Sequence, residues 1–400
     1  MLISFLVLVS CSKKDNYDYY NLATPVLMSL AEVRTAIDVL PPKEITESGK
    51  IYSYNNYIFV NDKNKGVHII DNSNPESPYK ISFLNIPGNV DISIKNERLF
   101  ANSFVDLVVF DISNINNIKK VNLLENVFYF YYQIPEGADA INWEEMQTQD
   151  GFPVDWVITR EKRKFDYENV DFISVAAAEN LPSTTGTGGS LARFKIVDEY
   201  LYSVDSHNIN IFNIEDLENP NQLESVFAGF DIETIFNRGN HLFLGSMSGM
   251  YIYDISTPSV PKFISEFQHG TACDPVVVDN NYAYITLRSG NSCGAFESSL
   301  QIVDITDIEN PVLEKSYAMD QPYGIGIKDE KLFICDGDSG LKVYDKTDIT
   351  NLKLLNHFKN INTFDVIPLE TNLLMIGDGI LYQYTYENSV INLLSTFSLN

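Results

Sequence analysis

Basic residues are scarce. The 400 residues hold 28 Lys and Arg against 54 Asp and Glu, a formal charge of −26. That surplus repels phosphate backbones and anionic headgroups, so nucleic acid is excluded as a partner. Histidine is rarer still: His68, His207, His241, His269 and His357 are scattered, with no paired-ligand spacing. No metal, no cofactor and no catalytic residue is therefore assigned. Long apolar runs are also missing, since outside Met1 to Val9 nothing approaches the roughly 18 residues of a membrane-spanning helix. What is abundant is aromatic and apolar: 23 Tyr and 24 Phe, with 44% hydrophobic residues falling in short runs of four to six. Such runs argue for many strands around a large core, an all-β chain.

Cysteine, with four copies, carries three expectations. Residues 1–10 read as a signal peptide, and Leu8-Val9-Ser10-Cys11 looks like a bacterial lipobox, although no Lys or Arg precedes Cys11. Cys11 is then the lipidated residue, residues 11–47 a tether with a short helix, and the address the bacterial cell envelope at its outer membrane. The membrane is met through the lipid anchor only. The helix is expected within Pro25 to Leu40, where apolar positions fall at helical spacing and Pro41-Pro42 stop it. Cys273 and Cys293 flank one strand pair and are favoured as a disulfide over two free thiols. Cys335 reads as a buried small hydrophobe.

Internal repeats decide the architecture. Gly66-Val-His-Ile-Ile-Asp71 recurs as strands ending at Asp111, Asn213, Asp254, Asp304, Asp345 and Tyr384, spaced 40, 102, 41, 50, 41 and 39 residues apart. A unit of about 40 residues is that of a four-stranded propeller blade. Seven residues beyond these ends stand Pro78, Ile118, Pro220, Pro261, Pro311, Leu352 and Ile391, often opening a further apolar run. Each unit thus reads as an inner strand, a hairpin, the motif strand and an outer strand. The motif's closing Asp is placed to accept backbone N–H bonds from the next turn, a structural role. The predicted fold is a seven-bladed β-propeller over residues 48–400, with a short N-terminal helix and an insertion at about 128–190.

Leu300-Gln-Ile-Val-Asp304 and Leu107-Val-Val-Phe-Asp111 resemble the strand for which the LVIVD-repeat proteins are named. Pro41-Pro42-Lys-Glu-Ile45, Ile86-Pro-Gly-Asn-Val-Asp91 and Gly186-Thr-Gly-Gly-Ser-Leu-Ala-Arg193 look like segments of their lipobox-bearing members. The resemblance implies a β-propeller and no particular reaction. Asn213 and Tyr384 depart from the pattern at the Asp position.

Two places can hold a ligand. The insertion carries Phe128-Tyr-Phe-Tyr-Tyr132, both tryptophans (Trp143 and Trp156) and the basic run Arg160-Glu-Lys-Arg-Lys164. It is either binding surface or a loop folded back on its blade. Counting back eight residues from the second strand of each unit gives Lys50, Asp91, Arg193, Thr234, Pro275, Gly324 and Asp365, with Asp274 beside the fifth. These begin the innermost strands, so Lys50 and Arg193 facing Asp91, Asp274 and Asp365 form either a mixed-charge pocket or a ring of mutually satisfied charges. The expected function is a non-enzymatic, monomeric envelope lipoprotein that binds or scaffolds a protein or glycan. The alternative is a lyase or hydrolase drawing an acid/base pair from Asp91, Asp274 and Asp365.

Overall fold

The computed structural model describes residues 17–130, 135, 137–148, 151–164, 187–191, 193–269, 275–289, 297–387 and 390–399. The chain divides into a smaller unit, Met1–Met28 with Gln133–Ala177, and a larger one, Ser29–Tyr132 with Ala178–Asn400. Among the described residues there are eight sheets, one of them in the smaller unit.

In the larger unit the sheets follow the chain in order. Sheet one is built on Ser48–Tyr54, Tyr57–Asp62, Gly66–Asp71 and Tyr79–Asn85, each antiparallel to the next. Sheets two to seven repeat the meander, beginning at Ile92, Phe194, Ile232, Val276, Ile325 and Asp365. In sheet three the fourth strand is split into two short pieces, Asn221–Gln222 and Val226–Phe227. The motif strand is the third of every sheet, as its period-free apolar pattern requires of a strand covered on both faces. The turn from first to second strand places Asn55, Asn96, Asp198, Gly239, Asn280 and Asp329 in the left-handed region, where Asn, Asp and Gly are least strained. In six sheets the third and fourth strands share a bulge, for example between Ile69 and Ile70 and between Ile302 and Val303. An extra residue there bends and twists the outer strand.

The core is a ring of interfaces. Seven buried clusters each join consecutive sheets. Phe110 of sheet two packs with Tyr52 and Phe59 of sheet one, and Phe100 with Phe194 and Phe212 of sheet three. The series runs through the remaining pairs, and the last cluster sets Leu374, Ile376 and Leu381 of sheet seven against Ile51, Ile58 and Val60 of sheet one. Each such side chain contributes about 1.5–3 kcal/mol by burial. Two hydrogen bonds to one carbonyl reinforce the last seam, where Ile45 N donates to Leu399 O at 3.1 Å and the Lys80 side chain donates to the same oxygen.

The N-terminal helix is shorter than the spacing predicts. Pro25–Met28 belongs to a strand, Tyr17–Met28, and the helix covers only Leu30–Ala36, started by a capping box between Ser29 and Glu32. Pro25 costs nothing at a strand position whose N–H need not be paired, and a strand partner is available in Phe152–Lys164. The helix docks through Arg34, whose Nε and Nη2 donate to Asp106 at 2.7 and 2.9 Å, and through buried Val33 and Ile37. Asp38–Leu40 then adds to the open edge of sheet one.

The smaller unit is a three-stranded sheet. Tyr17–Met28 pairs antiparallel with Phe152–Lys164 along its length and parallel with Ala140–Ile141 on its other edge. The helix Trp143–Thr148 follows the short strand. The insertion is thus not a simple loop of one blade, since its strands Ala140–Ile141 and Phe152–Lys164 form this separate sheet with the N-terminal strand.

Candidate functional site

In each sheet the first strand begins at one end of the ring, where the links from fourth to first strand and from second to third strand also lie. The structure brings four of the residues found by counting back together at that end. Lys50 lies within the first strand of sheet one, Asp91 and Arg193 immediately precede those of sheets two and three, and Asp365 starts that of sheet seven. Lys50 Nζ stands 3.5 Å from Asp91 Oδ2, with both side chains buried. Asp91 Oδ2 accepts from Arg193 N at 2.8 Å and Phe194 N at 3.0 Å, and its Oδ1 from Ile92 N at 2.7 Å. Asp365 accepts from Val366 N at 2.9 Å and, across the last seam, from Ile51 N at 3.4 Å. Each carboxylate therefore ties one inner strand to the next sheet's inner strand.

Burial governs the protonation of this cluster. It pushes Asp365 up to about 7 despite the Ile51 and Val366 amides and Lys50, and it raises Asp91 against the pull of Lys50. It lowers Lys50 to about 7, with Asp91 opposing and Arg193 reinforcing the shift. Arg193 Nε and Nη2 are buried without a hydrogen-bond partner among the described residues, and burial lowers the guanidinium's pKa against Glu233, Asp205 and Asp91. The cavity beside Lys50 and Asp91 measures only about 10 Å³, room for one water.

The segment from Thr187 to Leu191 helps to close this end. Thr187 and Gly188 pair with Ser53 and Tyr52, and Ser190 Oγ accepts from Ile325 N at 2.8 Å. A Cβ on Gly189 would lie 1.8 Å from Asp365 Oδ1, so only glycine fits there. The segment thus adds a short strand to sheet one and a contact to Ile325.

Of the other predicted residues, Thr234 is buried in the first strand of sheet four. Pro275 and Gly324 precede the first strands of sheets five and six. Asp274, Cys273, Cys293 and Cys11 lie outside the described residues. Trp143 and Trp156 belong to the smaller unit, Trp143 opening its helix with 40% exposure. The aromatic run at 128 is divided: Phe128 packs on Phe212 at 5.6 Å and Phe130 on Phe104 at 5.2 Å, whereas Tyr129 is exposed.

The sequence reading missed an aromatic pair at the same end of the ring. Phe227 and Phe230, 59% and 61% exposed, meet edge to face at 5.5 Å, and the His207 ring meets Phe230 at 5.6 Å. Asp231, next in the link, adopts a left-handed φ of 52°. The signal was Phe227-Ala-Gly-Phe230, two aromatics around a glycine in a link between strands. The Asp336-Gly-Asp-Ser-Gly340 turn is a hairpin between the strands Lys331–Cys335 and Leu341–Asp345, and Asp336 accepts from Asp320 N, Gln321 N and Lys342 Nζ. It lines a cavity of about 660 Å³ with Glu297, Asp320 and Asp338.

Consecutive four-stranded antiparallel sheets joined in a ring define a β-propeller. The chain carries the LVIVD repeat, whose profile matches residues 47–83, 234–268 and 269–319. Among solved structures it is similar to a protein from Lactobacillus plantarum, at 11% identity and a TM-score of 0.54, over 88% of this chain and 96% of that one. It is also similar to a functionally unknown protein from Desulfotomaculum acetoxidans, at 12% identity and a TM-score of 0.52, over 86% and 95%. For Saccharomyces cerevisiae Sqt1 the values are 10% and 0.51, over 94% and 88%. Likeness at this identity concerns the fold alone. No curated protein matches the chain.

Proposed function

We propose that this chain is a non-enzymatic lipoprotein of the bacterial cell envelope, anchored at the outer membrane through lipid on Cys11. Its propeller, monomeric and seven-bladed, binds or scaffolds a protein or glycan partner. The blade count is supported by the seven interfaces that run from each sheet to the next and from the last to the first. The observation that carries the functional reading is the exposed pair Phe227 and Phe230 with His207, on the end of the ring formed by the links between blades. Solvated aromatic rings on a rigid scaffold gain most from being covered, by a sugar face or an apolar side chain. The channel-end carboxylates are meanwhile occupied: Asp91 and Asp365 bind backbone amides of neighbouring blades and Lys50 faces Asp91.

The test is a glycan array together with photo-crosslinking from position 230 on cells, each repeated with Phe227→Ser combined with Phe230→Ser. Loss of binding by tenfold or more, with melting unchanged, supports the reading. Binding retained by that variant and lost by Trp143→Ser with Trp156→Ser would overturn it and move the surface to the smaller unit.

A further inference from the structure

The ladder of the smaller unit ends in a patch unlike the rest of the molecule. Arg160-Glu-Lys-Arg-Lys164 puts four basic residues into five positions of a chain with 28 in all and a charge of −26. The run closes the strand Phe152–Lys164, where Arg160 pairs with Asn21, Lys162 with Tyr19 and Lys164 with Tyr17. Residues opposite one another in a ladder share a face, and alternate residues along a strand share it too. Tyr19, Asn21, Ile158, Arg160 and Lys162 therefore lie on one face, with no carboxylate among them. Tyr19 is 55% exposed and Ile158 42%, and Arg160 and Lys162 are exposed. The Arg160 guanidinium sits over the Tyr19 ring at 5.1 Å.

We propose that this face is a membrane-contact surface for anionic phospholipid. Tyrosine and an aliphatic side chain between guanidinium and ammonium groups suit the boundary of headgroup and acyl chain, with rings at the boundary and cations on the phosphates. Position in the chain favours a bilayer over other polyanions. Tyr17 is the sixth residue after Cys11, so an extended tether spans at most about 20 Å between a lipidated Cys11 and this end of the ladder. The proposal rests on the lipid-anchor reading for that proximity and departs from it in one respect: contact with the membrane is then made by side chains as well as by lipid.

The experiment uses the full chain with Cys11→Ser, so that no acyl chain contributes, in co-sedimentation with vesicles. Equimolar phosphatidylglycerol and phosphatidylcholine should retain the protein at low salt and release it at 0.5 M salt, and phosphatidylcholine alone should not retain it. Arg160→Gln with Lys162→Gln should lower the partition coefficient about thirty-fold, at about one unit charge each near the surface. Unchanged melting of that variant shows that the fold is intact. Equal sedimentation with both kinds of vesicle, no effect of the double substitution, or equally tight binding to double-stranded DNA would each overturn the proposal. Because Cys11 is absent throughout, these outcomes leave the anchor itself to be judged separately, by release of the Cys11→Ser protein from the membrane fraction of cells.

Discussion

The closing residue of the motif strand shows how one side chain serves a whole blade. Asp71, Asp111, Asp254, Asp304 and Asp345 each accept from the backbone N–H two residues on, at 2.7–2.9 Å, and Asn213 does the same for Glu215. Side-chain and backbone bonds from Ser73 hold Asp71 below the usual carboxylate range, as those from Thr347 hold Asp345. The bonds therefore stabilise the fold above the ordinary carboxylate pKa and are lost on acidification. The channel-end cluster responds differently. Asp365, raised to about 7, contributes fully below about pH 4 and loses its contribution as pH climbs through 7. Lys50, lowered to about 7, contributes fully above about pH 10.4 and loses its share as pH falls through 7. Asp365→Asn, neutral at every pH, is expected to melt a few degrees above the parent at pH 8 and level with it at pH 5. Equal melting of the two at pH 8 would count against this assignment. Lys50→Met strands Asp91 in the interior and should cost about 3–5 kcal/mol in a denaturant titration.

At the scale of elements, two short segments hold more than their length suggests. The Leu30–Ala36 helix is far too short to be stable alone, so the Arg34 clamp on Asp106 decides whether it stays. Arg34→Ala is expected to cost about 2–3 kcal/mol and to raise hydrogen exchange in this helix first. Gly189→Ala should destabilise by more than a surface substitution, because its methyl group meets the Asp365 carboxylate; a melting temperature within a degree of the parent would show that the Thr187–Leu191 segment yields freely. Legibility divides along the same line. The motif strands could be read from sequence because each is apolar on both faces and ends in an Asx turn, both local properties. The strand Pro25–Met28 could not, because its partner lies more than a hundred residues downstream and the same apolar spacing suits a helix. Asp91 and Asp365 could be located by counting, but their partners could not, since a backbone amide leaves no mark in the sequence. The Phe227–Phe230 pair fell outside the repeat pattern and became visible only as exposed surface.

For the whole molecule, closure is made by packing and a few bonds, since sheets one and seven share no strand. Leu399 is buried in the last seam and lends its carbonyl to Ile45 and Lys80. Leu399→Ala should cost about 2–4 kcal/mol, and removal of residues 390–400, which deletes the outer strand of sheet seven, should abolish a single cooperative transition in calorimetry. The ladder between Tyr17–Met28 and Phe152–Lys164 has a consequence for the order of synthesis. At about 5–20 residues per second, the first strand leaves the ribosome several seconds or more before its partner exists. Throughout that interval, two complete blades can assemble while an unpaired, tyrosine-rich strand edge remains open to chaperones, or to the same strand on a neighbouring polysome.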